Sequence, residues 1–235
     1  MEGTMIQAAI FGLEGVLVDA RNWHRMAVDK ALAEFQLSVS PGEHEMLFDG
    51  LAPDKKLEFL FWYKDVPQQW QEKISQLTHI YFHNLLSEKC TVDVPTYQMM
   101  LKLLACDMKM SVCSQFDRDE VGVMLLKSQL AHFFSSSYCR QDVLEPLPHP
   151  ELYLRAIDKM GVAPEDTVVI ESSEEALMAA EQLGAHTLAL KPSEKLSGEI
   201  IEHFFEIQRI AGGVIEILEG IAELEQVQSE QLFLT

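Results

Sequence analysis

Short apolar runs that alternate with helical patterns constrain the fold of this chain more than any other feature of its sequence. The first run, residues 6–11, is followed by Gly12 and Gly15, which is typical of a buried strand that ends in a tight loop. Further runs of this kind cover residues 109–113, 133–138, 167–170 and 186–190. Because a helical pattern separates each run from the next, we predict an α/β fold with a central parallel sheet and helices on both of its faces.

The interval between the first two runs departs from this alternation. Trp23, Ala27 and Ala31 recur at helical spacing, residues 68–86 are helical in pattern, and no strand is evident. We therefore predict that a small all-α domain is inserted into the α/β core. The predicted domains are a discontinuous core at residues 1–20 and 93–235 and a helical domain at residues 21–92.

The last segment of the chain, residues 213–235, has the pattern of an acidic amphipathic helix. Its apolar positions are Val214, Ile217, Leu218, Ile221 and Leu224. We expect this helix to pack on the chain's own core, and the alternative is that it mediates a homodimer. The sequence leaves monomer and homodimer open.

The charge of the chain narrows the class of partner. Its 37 acidic residues against 18 lysines and arginines give a formal net charge of −19, which argues against a nucleic-acid partner.

The apolar runs are far shorter than the ~18 residues of a membrane span, so we expect no membrane association. No signal peptide precedes the first apolar run, and the four cysteines show no CxxC spacing. These features predict a cytoplasmic protein.

The eight histidines are scattered, and none pairs with a cysteine at the spacing of zinc ligands. We therefore expect no zinc site.

The residues at the end of the first predicted strand resemble a known catalytic motif. Residues 8–19 read AAIFGLEGVLVD and resemble D-x-D-G-V-L-x-D, the first motif of the haloacid dehalogenase superfamily. The members most similar in layout are the beta-phosphoglucomutase-like phosphatases and mutases, whose helical cap domain follows this motif, as residues 21–92 do here. The resemblance implies a Rossmann-like core, an all-α cap domain and Mg²⁺-dependent phosphoryl transfer.

Later segments carry the same resemblance in the same order. His24 begins a stretch similar to the H-x-x-A-x-x-x-A-L start of the cap, and Ser114 follows the second strand as the hydroxyl of the second motif does. The remaining matches are Asp49-Gly50 with Leu57, residues 142–154 for the third motif D-V-x-x-x-K-P-x-P-x-x-Y-L, and residues 168–173 for the fourth motif E-D-S.

Four positions depart from the pattern that the resemblance implies. Gly12 stands where the family has its aspartate nucleophile, and Glu14 stands at the general acid/base aspartate. Leu147 replaces the lysine that neutralises the phosphoryl group, and Ser172 replaces an acid of the fourth motif. The site has therefore lost a nucleophile, a cation and a metal-binding carboxylate together.

The family's Mg²⁺ ligands are reduced accordingly. The candidates that remain are the carboxylate of Glu171 and the backbone carbonyl of Glu14, because Gly12 and Ser172 contribute no carboxylate. Mg²⁺ is expected from the family, but its site is degraded, and we expect no bound cofactor.

Three retained residues are candidates for substrate binding: Ser114, His24 and Asp19. Each has a structural alternative. Ser114 would cap a helix that starts near Phe116, whereas His24 and Asp19 would be structural residues of the first helix.

Three functions follow from these observations. The first is a pseudoenzyme that binds a small phosphorylated metabolite or a protein, without phosphatase or phosphomutase activity. The second is a protein-interaction module that uses the cap and the C-terminal helix. The third is a hydrolase of altered chemistry in which Glu14, Glu171 and a bound water act on a small metabolite.

Overall fold

The computed structural model describes residues 6–44, 46, 51–191, 196 and 198–201. Its centre is a five-stranded sheet in the order β3-β2-β1-β4-β5 with every pair of neighbours parallel. The strands are β1 (Ala8–Gly12), β2 (Lys109–Ser114), β3 (Ser136–Cys139), β4 (Thr167–Glu171) and β5 (His186–Ala189). The predicted α/β fold with a parallel sheet is confirmed.

Side-chain alternation along the strands divides the core into two layers. Ala9 and Phe11 of β1 face one apolar cluster, whereas Ala8 and Ile10 face another on the opposite side of the sheet. All five residues of β1 are buried, as expected for the middle strand of a sheet that is covered on both faces.

Eight α-helices lie wholly within the described residues and accompany the sheet. Five of them, α1 to α5, lie between β1 and β2, and the first four fall in the interval where the sequence predicts helices and no strand. The helices are α1 (Ala20–Ala33), α2 (Pro41–Glu43), α3 (Pro53–Tyr63), α4 (Gln68–Lys89), α5 (Val94–Ala105), α6 (Arg118–Lys127), α7 (Glu151–Met160) and α8 (Glu174–Glu181).

The helices α1, α3 and α4 share a small apolar core of their own, in which Leu32, Leu60 and Ile74 are fully buried. Since each of these three helices contributes one of those residues, the segment can bury an apolar interior without the sheet. Its predicted identity as a cap domain with boundaries at residues 21 and 92 stays a prediction.

The third strand differs from its predicted position. Residues 133–138 are apolar and aromatic at their start, but Ala131–Phe133 forms a 3-10 turn that places Phe133 in the core, and β3 begins only at Ser136. The landmark Asp49-Gly50 and the C-terminal segment 213–235 lie outside the described residues. Among those described, no helix combines the length and the apolar character that a membrane span requires.

Candidate functional site

The candidate site lies where three neighbouring strands end. Gly12, Ser114 and Glu171 are the last residues of β1, β2 and β4, and these strands are adjacent in the sheet. Because parallel strands present their carboxyl ends at one edge, the chain brings together the residues that the motifs predicted.

The carboxylate of Glu171 fills the space next to Gly12. A Cβ atom built on Gly12 would lie 2.5 Å from Cδ of Glu171 and 2.6 Å from each of its carboxylate oxygens. Ordinary contacts between such atoms are longer by about 1 Å. Position 12, where the motif resemblance predicts a nucleophile, therefore has no room for a side chain while Glu171 keeps this conformation.

Hydrogen bonds hold Glu171 in place. The hydroxyl of Tyr153 donates to Oε1 at 2.9 Å, and the backbone N–H of Ser172 donates to Oε2 at 3.0 Å. Burial, followed by the negative charge of Glu14, raises the pKa of Glu171 to about 7, although the positive charge of Arg21 acts in the opposite direction. Glu171 is therefore a buried carboxyl group that binds a proton near neutral pH.

Glu14 is also engaged within the protein. The hydroxyl of Ser114 donates to its Oε2 at 2.7 Å, and the backbone N–H of Gln115 donates to its Oε1 at 2.7 Å. Glu14 and Glu171 are each only 6% exposed. Both carboxylates thus bind groups of the protein and have almost no contact with solvent.

The alternative that Ser114 caps the next helix is wrong. The helix α6 begins at Arg118, and Asp117 is its N-cap residue in a capping box with Glu120. The hydroxyl of Ser114 instead links the loop to Glu14, because it accepts the N–H of Phe116 at 3.1 Å while donating to Glu14.

Leu147 is half-buried and packs against the apolar cluster that contains Leu152 and Ala156, next to a cis peptide bond with Pro148. Its side chain brings no charge to the strand ends. Oγ of Ser172 is buried and has no hydrogen-bond partner among the described residues. Neither residue carries the charge that the motif resemblance predicts at its position.

His24 and Asp19 form no hydrogen bond with Glu14, Ser114 or Glu171 among the described residues. His24 is buried with its ring against the rings of Phe82 and Phe116, and burial, followed by the neighbouring Lys56 and His44, lowers its pKa to about 3. It is a neutral packing residue. Asp19 is exposed and precedes α1 without capping it.

The described residues do not fit Mg²⁺. Gly12 and Ser172 offer no carboxylate, and the two that remain, Glu14 and Glu171, accept hydrogen bonds from Ser114, Gln115, Tyr153 and Ser172. Mg²⁺ requires near-octahedral oxygen ligation, and Glu171 would have to lose its proton and its partners to supply it.

Three residues that motif reasoning did not assign to the site contribute to this edge of the protein. Tyr153 binds Glu171, and Arg21 donates to the carbonyl of Ser172 at 3.4 Å. Arg140 connects α3 to the core, because its guanidinium pairs with Asp54 on one side and with Asp117, at 2.6 Å, on the other. Tyr153 stands within the third motif, but no pattern in the sequence indicates its partner.

Residues 9–190 match the family described as haloacid dehalogenase-like hydrolase. The chain is 25% identical over 209 residues to a haloacid dehalogenase-like hydrolase domain-containing protein of Arabidopsis thaliana, a match that covers 76% of this chain and 66% of that protein, just under two thirds of its length. It is 25% identical over 204 residues to the phosphoglycolate phosphatase of Salmonella typhimurium, a match that covers 79% of this chain and 81% of that protein.

Among solved structures, the beta-phosphoglucomutase of Clostridium difficile superposes with a TM-score of 0.69 at 18% identity, covering 88% of this chain and 100% of that one. This likeness concerns the fold.

Proposed function

Because this chain belongs to the haloacid dehalogenase-like hydrolase family, we propose that it is a catalytically silent member that acts by binding or regulation. It would have neither phosphatase nor phosphomutase activity. Residues 21–92 would form the cap domain of this scaffold, and the ligand would be a small phosphorylated metabolite or a protein.

One observation carries the proposal: the carboxylate of Glu171 occupies the space that a side chain at position 12 would need. Formation of an aspartyl phosphate needs a carboxylate oxygen aligned with the leaving group. Here the carboxyl group of Glu171, which lies beside Gly12, is held by Tyr153 and the N–H of Ser172, and it binds a proton near neutral pH.

The charge around the strand ends supports the same proposal. A phosphoryl group that is transferred needs cations to balance its negative charge. Leu147 provides no cation. The positive charge of Arg21 acts on Glu171, where it partly opposes the increase in the pKa of that carboxyl group. The negative charge of Glu14, which contributes to the raised pKa of Glu171, would also repel a phosphate dianion at this edge of the sheet.

A hydrolase of altered chemistry, with Glu14 and Glu171 activating a water, is the alternative. Both carboxyl groups would need access to that water. Each is 6% exposed and already accepts a hydroxyl and a backbone N–H. These contacts favour the silent member over the altered enzyme.

A hydrolysis assay with a panel of phosphate esters, with and without Mg²⁺, tests the proposal. The wild type should release no more phosphate than the Glu14→Ala variant, which serves as the control for contaminating phosphatases. Mg²⁺-dependent turnover that disappears in Glu14→Ala would contradict the proposal.

A second variant tests the assigned cause. Gly12→Asp, Glu14→Asp, Leu147→Lys and Ser172→Asp together restore the residues of the family pattern. If their absence is what silences the chain, this variant should gain Mg²⁺-dependent hydrolysis while each single substitution stays inactive.

A further inference from the structure

Away from the strand ends, two histidines and a glutamate meet at the contact between α4 and α6. His79 and His83 are four residues apart on α4, which places them on one face of the helix. Their ring centroids are 4.2 Å apart. Glu120 of α6 faces them, with its Oε1 at 3.8 Å from Nδ1 of His79.

We propose that His79, His83 and Glu120 form a binding site for a divalent transition-metal ion of the zinc class. One potential ligand atom from each residue lies within 4.8 Å of the other two. Two ligands of a tetrahedral zinc ion at about 2.0–2.1 Å are about 3.3 Å apart, so closure requires movements of about 1.5 Å or less. The side chain of His79 is 64% exposed and can rotate to supply that movement.

The chemistry of the three groups favours zinc over magnesium or calcium. Two imidazoles and one carboxylate form a set that zinc accepts, with water at the fourth position, whereas magnesium and calcium prefer oxygen ligands throughout. Nε2 of His83 is buried and has no hydrogen-bond partner among the described residues.

The second oxygen of Glu120 is already positioned. It accepts the backbone N–H of Asp117 at 3.2 Å in the capping box of α6, which fixes the carboxylate toward α4. A ligand that is oriented by a further hydrogen bond is typical of metal sites. A bound ion would join the helical segment that follows β1 to the helix that follows β2.

This site does not depend on the proposed loss of catalysis, and it is an alternative to the expectation that the chain has no zinc site. That expectation considered histidine and cysteine pairs. The spacing of His79 and His83 was visible in the sequence, but their proximity to Glu120 arises only from the packing of α4 on α6.

The test uses the full chain, purified without a histidine tag and stripped with a chelator. Calorimetric titration with Zn²⁺ alone should show one ion bound per chain, and Co²⁺ should give the absorption of a tetrahedral complex that Zn²⁺ then displaces. His79→Ala, His83→Gln and Glu120→Gln should each weaken binding about tenfold or more. His79 is exposed and a glutamine at position 120 can still accept the N–H of Asp117, so these variants should fold.

His132→Ala is the matched control, because it removes an exposed histidine elsewhere and keeps all four cysteines. It should bind Zn²⁺ as the wild type does. The proposal is overturned if the wild type binds no Zn²⁺, or if His79→Ala or Glu120→Gln binds it as tightly as the control, as it would at a cysteine.

Discussion

Substitution of Gly12 by alanine should destabilise the protein although it adds a single methyl group. The new Cβ would lie 2.5–2.6 Å from three atoms of the Glu171 carboxylate, so that side chain must move by about 1 Å. Gly12 is the last residue of a buried strand, and its backbone is not in the left-handed region, so the cost arises from the contact with Glu171.

The size of the effect follows from what Glu171 would lose. Overpacking in a core costs about 1–3 kcal/mol, and weakening of the hydrogen bonds from Tyr153 and the N–H of Ser172 adds about 1 kcal/mol or more. We expect Gly12→Ala to lower the free energy of unfolding by about 3 kcal/mol. Gly122→Ala should raise it by about 1 kcal/mol, because this exposed glycine of α6 has open space around it.

Urea denaturation followed by circular dichroism measures both values, and a double-mutant cycle assigns the cause. In a Glu171→Ala background the clash is absent, so Gly12→Ala should cost less than about 1 kcal/mol there, which is a coupling of about 2 kcal/mol. Additive effects within about 0.5 kcal/mol would refute the contact between Gly12 and Glu171.

Two further predictions concern charged groups. The pKa of Glu171 is about 7 in the folded protein against 4.5 for an ordinary glutamate, so the folded state binds the proton more tightly and its stability falls as pH rises between these values. Glu171→Gln should remove this pH-dependent loss of stability. The difference in unfolding free energy between the variant and the wild type should therefore shift in favour of the variant by about 3 kcal/mol from pH 4.5 to about 7. A difference that stays constant over this range would contradict the raised pKa of Glu171. Arg140→Gln should separate Asp54 from Asp117, lower stability by about 1 kcal/mol and accelerate amide hydrogen exchange in α3; unchanged exchange would show that this ion pair does not hold α3 to the core.

The sequence predicted the sheet because short continuous apolar runs that are separated by helical patterns leave few alternatives. The end of β1 at Gly12 and the end of β2 at Ser114 both lie within one residue of the predicted ends. The third strand was predicted to begin at Phe133 because this residue is as apolar as a strand residue. In the structure Phe133 enters the core from a 3-10 turn, and the strand begins later.

The residues of the candidate site were predicted by the motifs, but their contacts were not. Nothing local to Glu171 indicates that its carboxylate would lie against Gly12, since the two residues meet only through the pairing of β1 with β4. The partnership of Glu14 with Ser114 likewise joins residues 100 positions apart. Contacts between distant strand ends depend on the register of the sheet, which single-sequence patterns do not specify.

A crystal structure of the protein grown with Mg²⁺ and phosphate tests the central claim most directly. The carboxylate of Glu171 should remain beside Gly12, bonded to the hydroxyl of Tyr153, with neither Mg²⁺ nor phosphate at the strand ends. An Mg²⁺ ion bound by Glu171 and the backbone carbonyl of Glu14, with phosphate next to Ser114, would contradict the claim that this scaffold has lost its machinery for phosphoryl transfer.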